Sequence, residues 1–281
     1  MLSILPNERV TYKLEHADEH VLVINKRAGL VTQPGLGHER DSLLNGLFAA
    51  YGQQLQNLGK SRDFGLLHRL DRETSGLLVV ALTTRAYDAL RTAFEERRVK
   101  KFYWALCAKG PKDDSGVIKL AIAETNPSPG KPKLARVIRG KTAETGGRTT
   151  VGAAAKAATT AFRVLARAGQ GEQERREREE EGAGRGGASL VEARPLTGRL
   201  HQVRVHLEAI GAPIFGDEFY APPAVANASP RLALHAHRLV FAHPVTGNQV
   251  DVRAAWPRDL KPVLKRLGLG RPDVETLDKE D

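Results

Sequence analysis

Runs of apolar residues, separated by polar loops and by Gly and Pro, predict a chain of short strands and a few helices over 281 residues. The central run, at 77–82, is rich in Val and Leu, follows a glycine and is too short for an ordinary helix, so it predicts a buried strand. Similar or alternating runs predict further strands at 20–26, 99–107, 156–165, 189–194 and 232–241.

Helical spacing of apolar residues marks the remaining predicted elements. Residues 84–98 carry their apolar side chains on one face, which predicts an amphipathic helix. Asp41 is the candidate N-cap of another helix, and helical patterns also occur at 200–210 and 259–267. We therefore expect a chain that mixes strands and helices.

A polar stretch at 68–76 stands directly before the central strand and brings one carboxylate, Asp71, to the edge of the sheet. Donors that favour the charged form keep an acid ionised, and an ionised Asp held on a rigid edge can act as a nucleophile. The alternative is a turn in which the side chains of Asp71 and Thr74 cap local backbone groups. The potential donors beside Asp71 are Arg69, Arg72, Thr74 and Ser75.

Composition narrows the classes of protein that fit. The net charge of +10 and the isoelectric point of about 9.8 favour a polyanionic partner, either nucleic acid or an anionic surface. Cys107 is the one cysteine, which excludes an intramolecular disulfide and a cysteine zinc site and fits a reducing cytosol. No apolar run approaches the ~20 residues of a membrane span, and the N-terminus lacks the apolar region of a secretory signal.

Three motifs in order resemble one family. His68-Arg69-Leu70-Asp71-x-x-Thr74-Ser75-Gly76 resembles the signature of the RluA-type pseudouridine synthases. The run at 26–30 resembles the family's Lys-x-x-Gly-Leu, although Arg27 stands where the family often has Pro. The run at 198–206, Gly-Arg-x-His-Gln-Val-Arg-x-His, resembles the third motif. The resemblance covers nearly the whole chain.

The resemblance implies a fold and a domain plan. It implies an α+β chain with a single catalytic domain over 1–270, built on a long, bent, mostly antiparallel mixed sheet with flanking helices and a central active-site cleft. Within that domain the Glu, Arg and Gly residues at 169–187 predict a flexible charged insert, because they cannot bury apolar surface. Residues 271–281 are expected to be a frayed acidic tail.

The resemblance also assigns roles to two residues. It implies that Asp71 is the catalytic aspartate, which either attacks the sugar or takes a proton from its 2′ position; the sequence leaves both open. Tyr103 belongs to a Lys-x-Tyr run on the strand at 99–107. The resemblance assigns Tyr103 to stack on the target base and to assist proton removal, whereas the residues alone fit an ordinary core tyrosine equally well.

Arg204 lies on an otherwise apolar helical face and therefore needs a partner, because an unpaired buried charge is very costly. Asp71 is the first candidate partner, and the alternative is that Arg204 reaches solvent. The resemblance implies that Arg204 is catalytic. It implies substrate-binding roles for Arg69, Lys101, Arg199 and Val203.

Other polar residues are predicted to be structural. Lys26 is expected to shape its loop, with a contact to RNA phosphate as the alternative. His201 and Gln202 are expected to form hydrogen bonds at a helix start, and Tyr220 to stabilise a turn. His235 and His237 share a strand face, but no third ligand stands at a recognisable spacing, so no metal site is predicted.

The resulting hypothesis is an RNA pseudouridine synthase that isomerises uridines in ribosomal or transfer RNA. It is expected to be a cytoplasmic monomer and to use no cofactor, nucleotide or metal. A non-catalytic RNA-binding module of the same fold is the first alternative. A hydrolase with Asp71 as nucleophile is the second, and it lacks an evident second carboxylate.

Overall fold

The computed structural model describes residues 3–125, 132–139, 154–168 and 187–272. Residues 140–153, the predicted insert up to residue 186 and the predicted tail from residue 273 lie outside this part. The chain divides into two compact units, each described by itself. The first unit is Met1–Lys101 with His235–Ala255, and the second is Phe102–Leu234 with Trp256–Asp281.

The described strands and helices are numbered in chain order. The strands are β1 (Lys13–Ala17), β2 (Val21–Lys26), β3 (Ser75–Ala81), β4 (Lys100–Cys107), β5 (Ser115–Lys119), β6 (Ala121–Glu124), β7 (Ala135–Ile138), β8 (Thr159–Arg167), β9 (Ser189–Pro195), β10 (Leu234–Ala242) and β11 (Gln249–Arg253). The helices are α1 (Leu43–Leu58), α2 (Thr84–Glu95), α3 (Gln202–Ala209), α4 (Pro223–Ala226) and α5 (Lys261–Arg266), and short 3₁₀ turns span Lys60–Gly65 and Arg258–Leu260.

The first unit is built on the central strand β3, whose residues are all buried. β3 pairs antiparallel with β2, which pairs antiparallel with β1. On its other side β3 pairs parallel with β10, and β10 pairs antiparallel with β11. The core of this unit lies between strand residues such as Val79 and Phe241 and the apolar face of α2, including Leu90.

The helices of the first unit begin at side-chain caps. Ser42 caps α1 and forms a capping box with Asn45, so the prediction that Asp41 is the N-cap is wrong by one residue. Thr83 caps α2 by accepting from the backbone N–H of Ala86. The predicted helix over 84–98 ends three residues early, at Glu95.

The second unit has an antiparallel sheet in the order β4-β9-β8-β5 and a separate β6-β7 hairpin. Helix α3 contacts β7, β8 and β9. The predicted α+β class is therefore confirmed, with mostly antiparallel strand pairs and a parallel β3-β10 pair among the described strands. None of the helices in the described residues is long and apolar enough to cross a membrane.

Gly76 fixes how the polar stretch enters β3. Its φ is +116°, in the region that L side chains rarely adopt, and a Cβ atom at this position would collide with the backbone of Ala236 on β10. The parallel pairing of Ser75 with His235 and of Gly76 with Ala236 depends on this close approach. The glycine at the end of the signature motif is thus a packing requirement.

Candidate active site

Asp71 lies in the loop that leads into β3. The backbone N–H of Thr74 donates to the carbonyl oxygen of Asp71 at 3.1 Å, so the backbone itself closes this turn. The hydroxyl of Thr74 is buried and has no hydrogen-bond partner among the described residues, so it does not cap the turn as the alternative interpretation expected. Asp71 remains partly exposed, and Arg69 on the same loop is exposed. Asp71 is therefore not enclosed in the core of the first unit.

The residues on both sides of Asp71 are fixed by the loop that follows β2. The Thr32 hydroxyl donates to the carbonyl of Leu70 at 2.9 Å and accepts from the N–H of Leu70 at 3.3 Å. The N–H of Gly29 donates to the carbonyl of Arg72 at 2.9 Å. These bonds hold the backbone before and after Asp71, which restricts where its carboxylate can point.

Lys26 stabilises the same arrangement from inside the protein. Its side chain is 0% exposed, and its ammonium donates to the carbonyls of Arg27 (3.1 Å), Leu30 (2.7 Å) and Arg72 (3.1 Å). A fully buried ammonium does not reach an RNA phosphate, so that alternative is wrong and the loop-shaping role is supported. Lys26 connects the first motif to the backbone next to Asp71.

A buried hydrogen bond fixes the far end of the Asp71 loop. The Ser75 hydroxyl lies 2.9 Å from Nδ1 of His235 on β10, and both residues are buried. His235 was one of the two histidines considered as metal ligands, and here it positions Ser75. Among the described residues no group of three His, Cys, Asp or Glu side chains is placed to hold a metal ion.

His68, at the start of the loop, is a neutral hydrogen-bond acceptor. Its Nε2 accepts from the N–H of Val79 on β3 at 3.2 Å, and its ring packs against Phe94, with ring centroids 5.1 Å apart. Burial, assisted by the nearby positive charge of Lys101, lowers the pKa of His68 to about 3. The imidazole must be neutral here, because Nε2 can accept this hydrogen bond only when it carries no proton.

We expect the stability of the protein to fall on acidification partly because of His68. Its pKa is about 3 in the folded state and 6.5 when unperturbed, so between these values the unfolded chain binds more protons. His68 should therefore cost roughly 2 kcal/mol of unfolding free energy between pH 7 and pH 5. Urea unfolding at both pH values should show this loss in the wild type and not in His68→Gln, whose amide oxygen can still accept from Val79. An equal loss in both proteins would contradict the assignment.

Lys101 lies at the start of β4, and its ammonium is 5.5 Å from the centroid of the Phe94 ring. Desolvation by the surrounding protein lowers the pKa of Lys101 to about 8. Its amine is therefore only partly charged in mildly alkaline solution, unlike an ordinary surface lysine. An anion that approached it would favour the protonated form.

In the second unit, Tyr103 lies on β4 opposite Ala193 of β9 and is buried. Val203 is buried on α3, one residue before Arg204. Arg199 lies before the helix, and its Nε donates to the carbonyl of Ala157 at 3.2 Å. Tyr103 and Val203 thus lie in regular, buried elements, which are suitable for holding a side chain in one geometry, whereas Arg199 lies in the partly exposed loop before α3.

Arg204 forms a bidentate ion pair with Asp217, a residue that sequence reasoning did not select. Nε of Arg204 donates to one carboxylate oxygen at 2.8 Å and Nη2 to the other at 2.7 Å. Arg204 is 5% exposed and Asp217 1%. The alternative in which Arg204 reaches solvent is therefore wrong, and the expected need for a partner is confirmed. The predicted pairing of Arg204 with Asp71 stays a prediction.

The turn after Asp217 and the start of α3 are joined by hydrogen bonds. The Tyr220 hydroxyl accepts from the N–H of Ala135 at 2.9 Å and lies 2.7 Å from Nδ1 of His201. Gln202 accepts from the N–H of Arg199 at 3.1 Å through its side-chain oxygen. The structural roles predicted for Tyr220, His201 and Gln202 are supported by these contacts.

The predicted site residues thus fall into two groups. The first unit carries Asp71, Arg69 and Lys101, with Asp71 and Arg69 on one loop. The second unit carries Tyr103, Arg199, Val203 and Arg204. Sequence reasoning missed His68, the Ser75–His235 bond and Asp217. For the first two the signal was present, because the signature motif itself contains His68 and Ser75.

A family model, described as RNA pseudouridylate synthase, matches residues 20–209 of the chain. The large-subunit pseudouridine synthase D of Zymomonas mobilis is 34% identical over 257 residues, which cover 89% of this chain and 71% of that protein. The dual-specificity RNA pseudouridine synthase RluA of Escherichia coli is 34% identical over 240 residues, covering 85% of this chain and 90% of that protein.

Solved structures agree with these sequence matches. Human RNA pseudouridylate synthase domain containing 4 superposes with a TM-score of 0.63 at 25% identity and covers 92% of this chain and 94% of its own. The human domain-containing-1 protein gives 0.61 at 24% identity, covering 96% of this chain and 100% of its own, and supports the fold. The chain, with its motifs on the loop of Asp71 and on α3, therefore belongs to the RNA pseudouridylate synthase family.

Proposed function

We propose that this protein isomerises specific uridines in ribosomal or transfer RNA to pseudouridine, with Asp71 as the catalytic aspartate. The observation that carries the assignment is the loop of Asp71. It holds a partly exposed carboxylate between two backbone positions fixed by Thr32, Gly29 and Lys26. The family membership supplies the reaction class, because pseudouridine synthases are RNA isomerases.

The reaction rearranges one nucleotide. The bond between N1 of uracil and C1′ of the ribose breaks, the base turns, and a bond forms between C5 and C1′. The proton on C5 is lost and the base regains a proton on N1. Atoms and electrons balance within the nucleotide and water, so the reaction itself calls for no redox partner and no group donor, and we propose none.

Asp71 supports either of two first steps. Its carboxylate can attack C1′ and hold the sugar covalently while the base turns, or it can remove a proton from C2′ so that the base leaves by elimination. Both steps need an ionised carboxylate with a fixed direction, and the hydrogen bonds to the backbone on either side of Asp71 supply the fixed direction.

Tyr103 and Arg204 are proposed as the other catalytic residues. A target uridine must leave the base stack, which costs a few kcal/mol, and stacking on the Tyr103 ring would offset part of that cost. Arg204 would stabilise negative charge during the reaction through its guanidinium. The bidentate bond to Asp217 supports this role, because it fixes the orientation of the guanidinium.

The proposed substrate-binding residues are Arg69, Lys101, Arg199 and Val203. The exposure of Arg69 and the net charge of +10 support contacts to RNA phosphates, so affinity for RNA should fall steeply with salt. We further propose that the protein acts in the cytoplasm as a monomer. The two relatives described above support an RNA substrate through their names: one is a ribosomal large-subunit pseudouridine synthase, and the other is a dual-specificity RNA pseudouridine synthase.

Tyr103→Phe separates stacking from proton transfer. The phenylalanine ring keeps the stacking surface, so KM for RNA should change by less than about threefold. If the hydroxyl assists proton removal, kcat should fall by about 10²-fold, the lower end of general acid–base contributions. Steady-state tritium release gives both constants, with Tyr51→Phe on α1 as a matched change of another tyrosine. An unchanged kcat in Tyr103→Phe would remove its hydroxyl from the mechanism.

The function is tested by tritium release. Transfer and ribosomal RNA from cells that lack this gene, labelled with tritium at C5 of uracil, should lose tritium to water when the purified protein is added. Release from one RNA class identifies where the target lies. Binding of these RNAs without release would favour the non-catalytic module, and release of free uracil would favour the hydrolase.

A further inference from the structure

Phe219 is an exposed aromatic side chain that the proposed chemistry does not use. It is 47% exposed, on the turn between Asp217 and Tyr220 in the second unit. A single exposed apolar residue is ordinary on a protein surface, so exposure alone indicates nothing. The groups that hold the ring of Phe219 and surround it are what support a binding role.

The backbone that carries Phe219 is held by buried charge. The N–H groups of Phe219 and Tyr220 donate to the same carboxylate oxygen of Asp217, at 3.1 and 3.2 Å. That carboxylate is itself held by the bidentate bond to Arg204. The buried Arg204–Asp217 pair thus fixes the backbone of the turn that carries the exposed Phe219 ring.

The ring also stands in an aromatic and cationic setting. The guanidinium carbon of Arg204 lies 5.6 Å from the centroid of Phe219 and 4.9 Å from that of Tyr220. The imidazole of His201 is parallel to the Phe219 ring within 9°, with centroids 6.5 Å apart. Tyr220 meets Phe219 edge to face, at 65° and 6.5 Å. These contacts orient the ring and leave part of it open to solvent.

Positive charge flanks this cluster along the chain. Arg136 is exposed and follows Ala135, whose N–H donates to the Tyr220 hydroxyl. Arg199 precedes His201 by two residues, and its Nε is held by the Ala157 carbonyl. An exposed aromatic ring and exposed basic side chains are the components that bind single-stranded nucleic acid, through stacking and phosphate contacts.

We propose that Phe219 is a stacking platform for an unpaired RNA base other than the target uridine, with Arg136 and Arg199 contacting the adjoining phosphates. This inference rests on the proposed function, because it takes RNA as the ligand. Since every base has a π face, the platform would select unpaired over paired nucleotides and would not read a particular base. It would favour targets in loops, where bases next to the uridine are free to turn outwards.

The test compares Phe219 variants on two forms of one RNA. The first form is a stem-loop that the wild type isomerises in the tritium assay, and the second is the same strand annealed to its complement. Phe219→Leu keeps an apolar side chain but removes the π face, so affinity for the stem-loop should fall about 10-fold or more. Phe219→Trp should bind it at least as tightly as the wild type. Neither change should alter affinity for the duplex.

Salt dependence gives an independent readout. Stacking displaces no counterions, so Phe219→Leu should leave the slope of log K against log salt unchanged, whereas Arg136→Gln should reduce it by about 0.7. Val117→Ala, a change of another exposed apolar residue (55% exposed) on β5, is the control for general surface effects.

If Phe219→Leu melts at too low a temperature for binding assays, the fluorescence of 2-aminopurine, placed at each unpaired position of the RNA in turn, tests stacking instead. One position should be quenched by the wild type and by Phe219→Trp.

Several results would overturn the platform. Equal stem-loop affinity of Phe219→Leu and the wild type, an equal loss on the duplex, or a similar loss in Val117→Ala would each do so, as would 2-aminopurine that is quenched nowhere. These outcomes differ from failure of the proposed function, which would appear as no tritium release by the wild type from any RNA.

Discussion

Asp71→Asn should abolish tritium release while affinity for the substrate RNA stays within about threefold. The amide has nearly the shape of the carboxylate, so the loop and its bonds to Thr32, Gly29 and Lys26 should persist. It is a poor nucleophile and a poor base, so both candidate first steps fail. We expect kcat to fall by at least about 1,000-fold, as when a single nucleophile is removed from other enzymes.

The matched control is Glu73→Gln, a carboxylate-to-amide change two residues away on the same loop. Glu73 is partly exposed, and its closest basic neighbour is Arg72, at 3.4 Å. Exposed ion pairs contribute little, so this variant should retain activity within a few fold. Isomerisation by Asp71→Asn at more than a few per cent of the wild-type rate would refute the assignment of Asp71. Binding of RNA by both variants, measured by anisotropy, excludes unfolding as the cause.

The strands that the sequence predicted well are the ones buried on both faces. The runs at 20–26, 77–82 and 99–107 became β2, β3 and β4 with boundaries shifted by one or two residues, because a continuous apolar run has few alternatives to a central strand. The weaker pattern at 259–267 was predicted as one helix. It forms a 3₁₀ turn followed by α5, since Pro262 can occupy only the first turn of an α-helix.

The strands that escaped prediction are short and partly exposed. β1, β5, β6, β7 and β11 have four or five residues each, and four of them include charged residues that face solvent. Such segments gain their strand conformation from a neighbour that is distant in sequence, as β5 does from β8. No local pattern reports that pairing.

The candidate site shows the same division between local and distant information. Asp71 and the loop around it were predicted, because the motif is contiguous and its residues act on one another directly. Asp217 as a partner of Arg204 was not predicted, because it lies thirteen residues on, past the end of α3, in a run that resembles a simple turn. The sequence could state that a buried Arg needs a carboxylate, and the fold shows that Asp217 supplies one.

Lys26→Met should both destabilise the protein and slow the reaction. Methionine fills most of the same space, but the carbonyls of Arg27, Leu30 and Arg72 lose the ammonium that donates to them in a fully buried position. The Arg72 carbonyl keeps the N–H of Gly29 as a donor, whereas those of Arg27 and Leu30 lose theirs. Each carbonyl left without its donor costs about 1 kcal/mol or more, so the free energy of unfolding should fall by about 2 kcal/mol. The melting temperature should fall by roughly 4 °C.

The kinetic effect of the same change follows from where Arg72 lies. Arg72 directly follows Asp71, so loss of the Lys26 bond to its carbonyl loosens the backbone that aims the carboxylate. Small errors in the position of a reacting group are costly, and kcat should fall by about 10- to 100-fold at a temperature where the variant remains folded. KM should change less, since a side chain with no solvent exposure does not touch RNA.

The control is Lys13→Met, because Lys13 is an exposed lysine that pairs with Glu15 on β1. This change should alter the free energy of unfolding by less than about 0.5 kcal/mol and leave kcat unaltered. If Lys26→Met melted like the wild type, or lost stability with no change in kcat, the connection between this buried ammonium and the position of Asp71 would be wrong.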